Sequence, residues 1–116
     1  MDKTLTTLTE ELRHFAAERA WEPFHTPKNL AMALIVEAAE LVEHFQWLTP
    51  EESASLDAET RSAVEQELAD IQIYLTRLAD VLGMDLMDAA FRKLTLNAQK
   101  YPVEKAKGRA SKYTAL

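Results

Sequence analysis

The chain has 116 residues, with 13 lysine and arginine side chains against 19 aspartate and glutamate side chains, and therefore a formal net charge of −6. The absence of cysteine excludes disulfide frameworks, thiolate nucleophiles and metal sites that need cysteine. Two glycines and four prolines supply few turns for a many-stranded β fold. The length allows one domain over residues 1–116, and the composition favours helices.

The N-terminal residues have neither the basic nor the apolar segment of a signal peptide. No apolar run approaches the roughly 20 residues that span a bilayer. We therefore expect a cytoplasmic protein that has no membrane partner.

The charge is divided unevenly along the chain. Residues 1–91 have 6 basic and 18 acidic side chains, a balance of −12, whereas residues 92–116 have 7 basic side chains and one acidic, a balance of +6. Such a tail is typical of a solvated terminus, a nucleic-acid arm, or a phosphate-binding segment beside an acidic metal site. No recognition motif accompanies the basic residues and the body is acidic, so we do not expect a nucleic-acid partner.

Hydrophobic periodicity predicts four helices. The first spans residues 4–20 and ends before Pro23 and Pro27, which cannot both lie inside a helix. The second spans residues 28–47 and is followed by a polar connector that begins at Thr49.

The third helix begins at residue 57 or 58 and ends at residue 82, because Gly83 is a C-terminal stop. The fourth begins after Asp85, its predicted N-cap, and extends to residue 100. Pro102 ends it, and the basic tail, residues 103–116, is predicted to be irregular.

These helices predict an all-α subunit that resembles a four-helix bundle. The third helix is apolar over more than half of its circumference, which exceeds what so small a bundle can cover. We therefore expect a homo-oligomer whose helices pack across a two-fold axis.

Two acidic pairs repeat one pattern, thirty residues apart. Glu37 and Glu40 on the second helix, and Glu67 and Asp70 on the third, are each about 60° apart around the helix axis and border the apolar stripe. A solvated helix face is the usual explanation of a single pair. Two copies at matching positions indicate that the carboxylates meet at the edge of the core if the helices are antiparallel neighbours.

Four converging carboxylates repel one another unless a cation lies between them, and Mg²⁺ or Mn²⁺ prefers such oxygen ligands. A di-iron centre is the nearest competitor, but it needs Glu-x-x-His on two helices. That pattern occurs once on a predicted helix, at Glu11-x-x-His14. We therefore predict a magnesium site, with Mn²⁺ as the alternative.

The two acidic pairs and the 26 residues between them resemble the signature of the MazG-like, all-α nucleoside triphosphate pyrophosphohydrolases. The motifs Trp-Glu-x-Phe-His and Gly-Arg-x-Ser-Lys-Tyr are similar to the dCTP pyrophosphatase branch of that family. The similar segments are residues 17–30, 37–47, 97–103 and 108–114.

This resemblance implies hydrolysis of a nucleoside triphosphate between its α- and β-phosphates, which yields a monophosphate and pyrophosphate. It implies dCTP or a related, modified pyrimidine deoxynucleotide as the substrate, a house-cleaning role, and a tetramer made of two dimers. The implied Mg²⁺ ligands are Glu37, Glu40, Glu67 and Asp70. For the group that takes the proton of the attacking water we expect Glu40, with Glu43 as its competitor.

The resemblance also implies a nucleotide pocket. The charge distribution adds the expectation that basic side chains of residues 92–116, Lys100 among them, bind phosphate if this segment folds back over the triphosphate. The predicted substrate-binding residues are Trp21, His25, Trp47, Tyr74, Lys93, Asn97, Tyr101, Arg109 and Lys112.

Several of these residues have a purely structural explanation. Trp47 fits a core or interface position, Tyr74 fits a packing role, and Asn97 fits a solvated helix end, whereas periodicity does not explain His25. For the whole chain, the alternatives are a nucleic-acid-binding protein that uses the basic tail and a non-catalytic oligomeric scaffold in which the acids are dispensable.

Overall fold

A computed structural model describes residues 1–116 and divides them into two compact units, Met1–Gly83 and Met84–Leu116. The chain contains no strand, which confirms the all-α prediction, and none of its helices has the length and apolarity needed to cross a membrane. The α-helices are α1 (Leu5–Glu18), α2 (Pro27–Glu43), α3 (Pro50–Ser53), α4 (Ala58–Val81), α5 (Leu86–Lys100) and α6 (Val103–Ala106). Short 3₁₀ helices cover Glu22–Phe24 and Tyr113–Ala115.

The first unit is built around α4, against which α2 packs most extensively and α1 less so. Leu30, near the start of α2, shares a cavity with Arg77, near the end of α4. His44, just after α2, lies beside Glu67, nearer the start of α4. The two helices therefore run antiparallel, which is the arrangement in which the two acidic pairs can meet. Four apolar residues form the buried core: Ala16, Leu30, Val64 and Ala79.

The helix starts follow from local capping chemistry. The side chains of Thr4, Thr26, Asp57 and Asp85 accept a hydrogen bond from the backbone N–H three residues later, at the starts of α1, α2, α4 and α5. After α4 the chain turns at Gly83, whose φ of 68° lies in the left-handed region that glycine adopts without strain. The predicted bounds of α1, α4 and α5 are confirmed to within two residues.

Two predictions are wrong, the end of α2 and the irregular tail, and the polar connector contains a short helix. Helix α2 ends at Glu43 and not at Trp47, because the next residue, His44, donates its N–H back to Leu41 and Val42 and begins a run of turns. The polar connector contains α3, which starts with a reciprocal capping box between Thr49 and Glu52. The tail beyond Pro102 contains α6 and a 3₁₀ helix where irregular chain was expected.

Many large apolar side chains remain exposed in a core this small. On α4, Leu68 is 50% exposed, and the outer side of α2 carries four exposed apolar residues, Met32, Ile35, Val36 and Val42. The second unit, considered by itself, exposes Met87, Phe91, Leu94 and Leu96 along α5. The apolar excess anticipated for the third helix is thus also present on two other helices.

Candidate active site

Three carboxylates converge where α2 faces α4. Glu37 on α2 and Glu67 and Asp70 on α4 each offer one oxygen, and these three oxygens lie within 4.8 Å of one another. Glu67 and Asp70 occupy adjacent turns of α4, and the antiparallel pairing brings Glu37 opposite both. We refer to these three residues as the carboxylate cluster.

The electrostatics of the carboxylate cluster favour a bound cation. The pKa of Glu37 is raised from 4.5 to about 7, first by burial, then by the hydrogen bond and charge of Glu40, and further by Glu67 and Asp70. The Oε2 atoms of Glu37 and Glu67 are buried and have no hydrogen-bond partner. Unpartnered buried oxygens among converging acids fit a hard divalent ion such as Mg²⁺, which would replace the missing donors.

Two other predicted acids adjoin the carboxylate cluster without belonging to it. Glu40 is half-buried and close enough to Glu37 to raise its pKa, whereas Glu43 is exposed at the end of α2. No sequence motif singles out His44, yet its Nε2 atom lies 3.5 Å from Oε1 of Glu67. His14, on α1, pairs with Glu18 on the surface.

The turn after α1 holds Trp21 in place. The N–H of Trp21 donates to the carbonyl of Ala16 and the N–H of Ala20 donates to that of Ala17, the two bonds of a Schellman motif. Such a motif needs a left-handed residue before Trp21, and Ala20 fills this position with a φ of 53°. Trp21 then packs edge-on against Phe15 and His25, with ring centroids 5.7 and 6.1 Å away.

A cavity of about 290 Å³ lies beside the carboxylate cluster, close to the lower end of the roughly 300–1,000 Å³ typical of ligand pockets. Three predicted substrate-binding residues, Trp21, His25 and Tyr74, line it together, and Asp70 belongs to both the cavity wall and the carboxylate cluster. The rest of the wall consists of Leu12, Phe15, Leu30, Ile73 and Arg77. We call this space the aromatic cavity.

Arg77 is a wall residue that the sequence analysis missed. It is only 9% exposed, and its Nε–H donates to Nδ1 of His25 over 3.1 Å. Burial, followed by the charge of Arg77, lowers the pKa of His25. The available signal was helical spacing, because Arg77 follows Asp70 by seven residues and Tyr74 by three and so shares their face of α4.

Arg77 also forms an ion pair with Asp80, on the side of the guanidinium group away from His25. Asp80 lies 3.5 Å from Nη1 of Arg77 and accepts a hydrogen bond of 2.7 Å from Nε of Arg13 on α1. The Arg13 hydrogen bond and the charges of both arginines lower the pKa of Asp80, although burial opposes them.

The remaining predicted substrate-binding residues are not among the residues that line the aromatic cavity. Trp47 is 87% exposed in the turn after α2, so it is not a core residue of this chain. In the second unit, Tyr101 packs edge-on against Tyr113 at 6.1 Å, and Arg109 donates to the carbonyl of Ala115. That unit also holds Lys93, Asn97 and Lys112, of which Asn97 is half-buried.

A second cavity of about 520 Å³ begins on the other side of His44 and extends between α3 and the start of α4. Its acidic wall residues include Glu52 and Asp57, whose side chains already cap helices. No lysine or arginine lines it, so it is poorly suited to a polyanion.

Comparison with known proteins identifies the chain's relatives. The family model described as the MazG-like family matches residues 32–116, which include every residue of the carboxylate cluster. The chain belongs to the MazG-like family. This membership confirms the resemblance drawn from the acidic motifs and makes the chain an enzyme of the nucleoside triphosphate diphosphatase class.

Curated relatives of this MazG-like chain span nearly all of it. It is 42% identical to dCTP pyrophosphatase 1 of Mus musculus, 43% to that of Bos taurus and 40% to that of Homo sapiens, in each case over 99% of this chain and 69% of the relative. A crystal structure of a pyrophosphatase from Archaeoglobus fulgidus superposes with a TM-score of 0.81 at 39% identity, covering 88% of this chain and 95% of that one.

Proposed function

We propose that this protein hydrolyses dCTP, or a closely related modified pyrimidine deoxynucleoside triphosphate, to the monophosphate and pyrophosphate in a Mg²⁺-dependent reaction. The observation that carries the proposal is the position of Asp70, which joins the carboxylate cluster to the aromatic cavity. A nucleotide whose base occupies the cavity would therefore have its phosphates near the acids. The curated relatives, which are dCTP pyrophosphatases, support the choice of substrate.

The carboxylate cluster and Glu40 are proposed to hold Mg²⁺. When bound there, the ion supplies neutralisation of phosphate charge and acidification of a water molecule. Glu40 adjoins Glu37 but is not one of the three carboxylates that converge in the structure, so we also assign it the proton of the attacking water. Exposed Glu43 is the alternative for this role.

The substrate contacts divide by chemistry. Trp21 and Tyr74 supply flat faces for a base in the aromatic cavity, and His25 supplies a polar contact. We assign Trp47 to nucleotide stacking, and Asn97 and Tyr101 to the base or sugar. The basic residues proposed to bind phosphate oxygens are Lys93, Lys100, Arg109 and Lys112.

We further propose that the enzyme acts as a homo-oligomer, a dimer or a tetramer made of two dimers. The large apolar side chains exposed on α2 and α5 support self-association, because an interface would remove their apolar surface from water.

The activity test is pyrophosphate release from a panel of deoxynucleoside triphosphates with and without Mg²⁺. The wild type is expected to prefer dCTP or a modified pyrimidine nucleotide. Glu67→Gln and Asp70→Asn should each lose on the order of 100-fold in kcat. Glu65→Gln is the matched control, because this acid lies on α4 but is largely exposed and paired with Arg61.

Two results would contradict the proposal. Absence of Mg²⁺-dependent turnover on every nucleotide would exclude the enzymatic function and favour a scaffold. Full activity in Glu67→Gln or Asp70→Asn would place the chemistry elsewhere while leaving the activity itself intact.

A further inference from the structure

The aromatic cavity has a buried arginine in its wall whose charge is not aimed at the carboxylate cluster. A guanidinium group has only donors and stays protonated in proteins. Arg77 directs Nε–H to Nδ1 of His25 over 3.1 Å and turns Nη1 toward Oδ2 of Asp80 at 3.5 Å. Asp80 is itself fixed by Arg13. Arg77 is thus held from both sides by groups on α1, α4 and the loop that precedes α2.

This contact decides the protonation state of His25. Because Arg77 can only donate, Nδ1 of His25 must be the acceptor and the proton of the neutral ring must reside on Nε2. The burial of the ring and then the charge of Arg77 disfavour a second proton on His25. The other charged group in the cavity wall is Asp70, which the carboxylate cluster also uses.

We propose that Arg77 is a positioning residue that makes His25 a hydrogen-bond donor, through Nε2–H, to an acceptor atom of the nucleobase in the aromatic cavity. The inference deepens the proposed function and rests on it. Leu12, Phe15 and Ile73 offer the base no polar partner. A base that presents an N–H donor to His25 is therefore excluded, because two donors would face each other in a largely apolar space.

The direct test is the tautomer of His25, measured from the ¹⁵N shifts of its imidazole ring in the full-length protein without nucleotide. The wild type should contain only the Nε2–H form near neutral pH. Arg77→Met should give a mixture of the two tautomers and a higher pKa for His25, whereas Arg61→Met, an exposed arginine on the same helix, should change neither. Retention of the single Nε2–H form in Arg77→Met, or an equal change in Arg61→Met, would overturn the proposal.

A second variant, Arg77→Lys, tests the proposal if Arg77→Met does not fold. Arg77→Lys keeps the positive charge but lacks the rigid planar donor, so a folded lysine variant should also show mixed tautomers. A single Nε2–H tautomer in that variant would refute the need for the guanidinium. Melting temperatures of all variants identify those that fold.

The kinetic test separates positioning from a purely structural role. Arg77→Met should raise KM for the preferred nucleotide about five- to tenfold, the effect of one lost hydrogen bond, and leave kcat within about twofold. His25→Gln, whose amide reaches toward the Nε2 position, should retain more affinity than His25→Asn. A fall in kcat with KM unchanged, or equal losses in both His25 variants, would overturn the assignment. If the wild type turns over no nucleotide, the proposed function fails, and the tautomer measurement still decides the role of Arg77.

Discussion

The side chain of Glu37 is the most perturbed group in the protein, with its pKa raised to about 7 by burial and by neighbouring acids. Loss of a residue that hydrogen-bonds to a metal ligand typically lowers metal affinity by roughly 10–100-fold. Because Glu37 is proposed to be a ligand itself, we expect Glu37→Gln to weaken divalent-ion binding by more than that. Without metal, the same variant should be no less stable than the wild type, because it removes a charge that the fold disfavours. Thermal melts with chelator and with Mg²⁺ measure both effects.

The control for this experiment is Glu43→Gln, because Glu43 is exposed on the same helix and lies outside the carboxylate cluster. Its alternative role as proton acceptor does not require it to bind the ion. Its melting temperature should respond to Mg²⁺ as that of the wild type does. Equal stabilisation of Glu37→Gln and the wild type by Mg²⁺ would contradict the assignment of Glu37 as a ligand.

Ala20 occupies a backbone conformation that suits glycine, with a φ of 53° at the end of α1. Glycine has no Cβ to strain there, so Ala20→Gly should raise the free energy of unfolding by about 0.5–1 kcal/mol. Ala17→Gly, one turn earlier inside the helix, should lower it by a similar amount. Urea denaturation measures both variants, and a loss of stability in Ala20→Gly would show that the left-handed turn is not strained.

At the scale of elements, Arg13 and Asp80 join α1 to α4. The pKa of Asp80 is lowered in the folded state, so the pair stabilises the protein above the ordinary pKa of the carboxyl, 3.8, and its contribution is lost as the pH falls through the lower folded value. We expect Arg13→Gln to lower the melting temperature at neutral pH, and the difference from the wild type to shrink in acid.

The matched control is Arg61→Gln, because the Arg61–Glu65 pair is exposed and lies within a single helix. Exposed pairs of this kind contribute little, so its melting temperature should stay close to that of the wild type at every pH. A pH-independent loss in Arg13→Gln would mean that the packing of its aliphatic stem matters more than the ion pair.

Helix boundaries were predictable where one residue controls them. Asp57 and Asp85 cap the helices that follow them, and Gly83 ends α4, so these bounds could be derived from the sequence. The end of α2 could not, because Phe45 and Leu48 continue the apolar period past the point where the backbone turns. Periodicity shows which residues are apolar, whereas the change to a turn at His44 depends on packing.

For the molecule as a whole, the exposed apolar side of α2 leads to a prediction about assembly. Ile35 is 66% exposed, and a charge at this position should weaken self-association if α2 lies in the interface. We expect Ile35→Glu to have a smaller mass than the wild type in light scattering or sedimentation. Lys28→Glu, an exposed change of charge on the same helix, should keep the wild-type mass. An unchanged mass for Ile35→Glu would exclude this face as the interface.

The part of the candidate site that depends on helical spacing could be predicted from the sequence. The repeat of two acidic pairs was sufficient to nominate Glu37, Glu67 and Asp70, because helical geometry alone aligns each pair. The contact between Arg77 and His25 could not be derived, since 52 residues separate them and an arginine beside an apolar stripe is usually solvated. Only the packing of the loop before α2 against α4 makes that arginine part of a cavity.

The position of Trp21 in the cavity wall also gives the protein an optical signal of its own. Only two tryptophans are present; Trp21 is 43% exposed and in contact with two rings, and Trp47 is 87% exposed. Their emission maxima should differ, with Trp21 at the shorter wavelength. In a Trp47→Phe variant the remaining fluorescence reports the contents of the aromatic cavity directly, so occupancy by a base can be followed by titration without a label and without turnover.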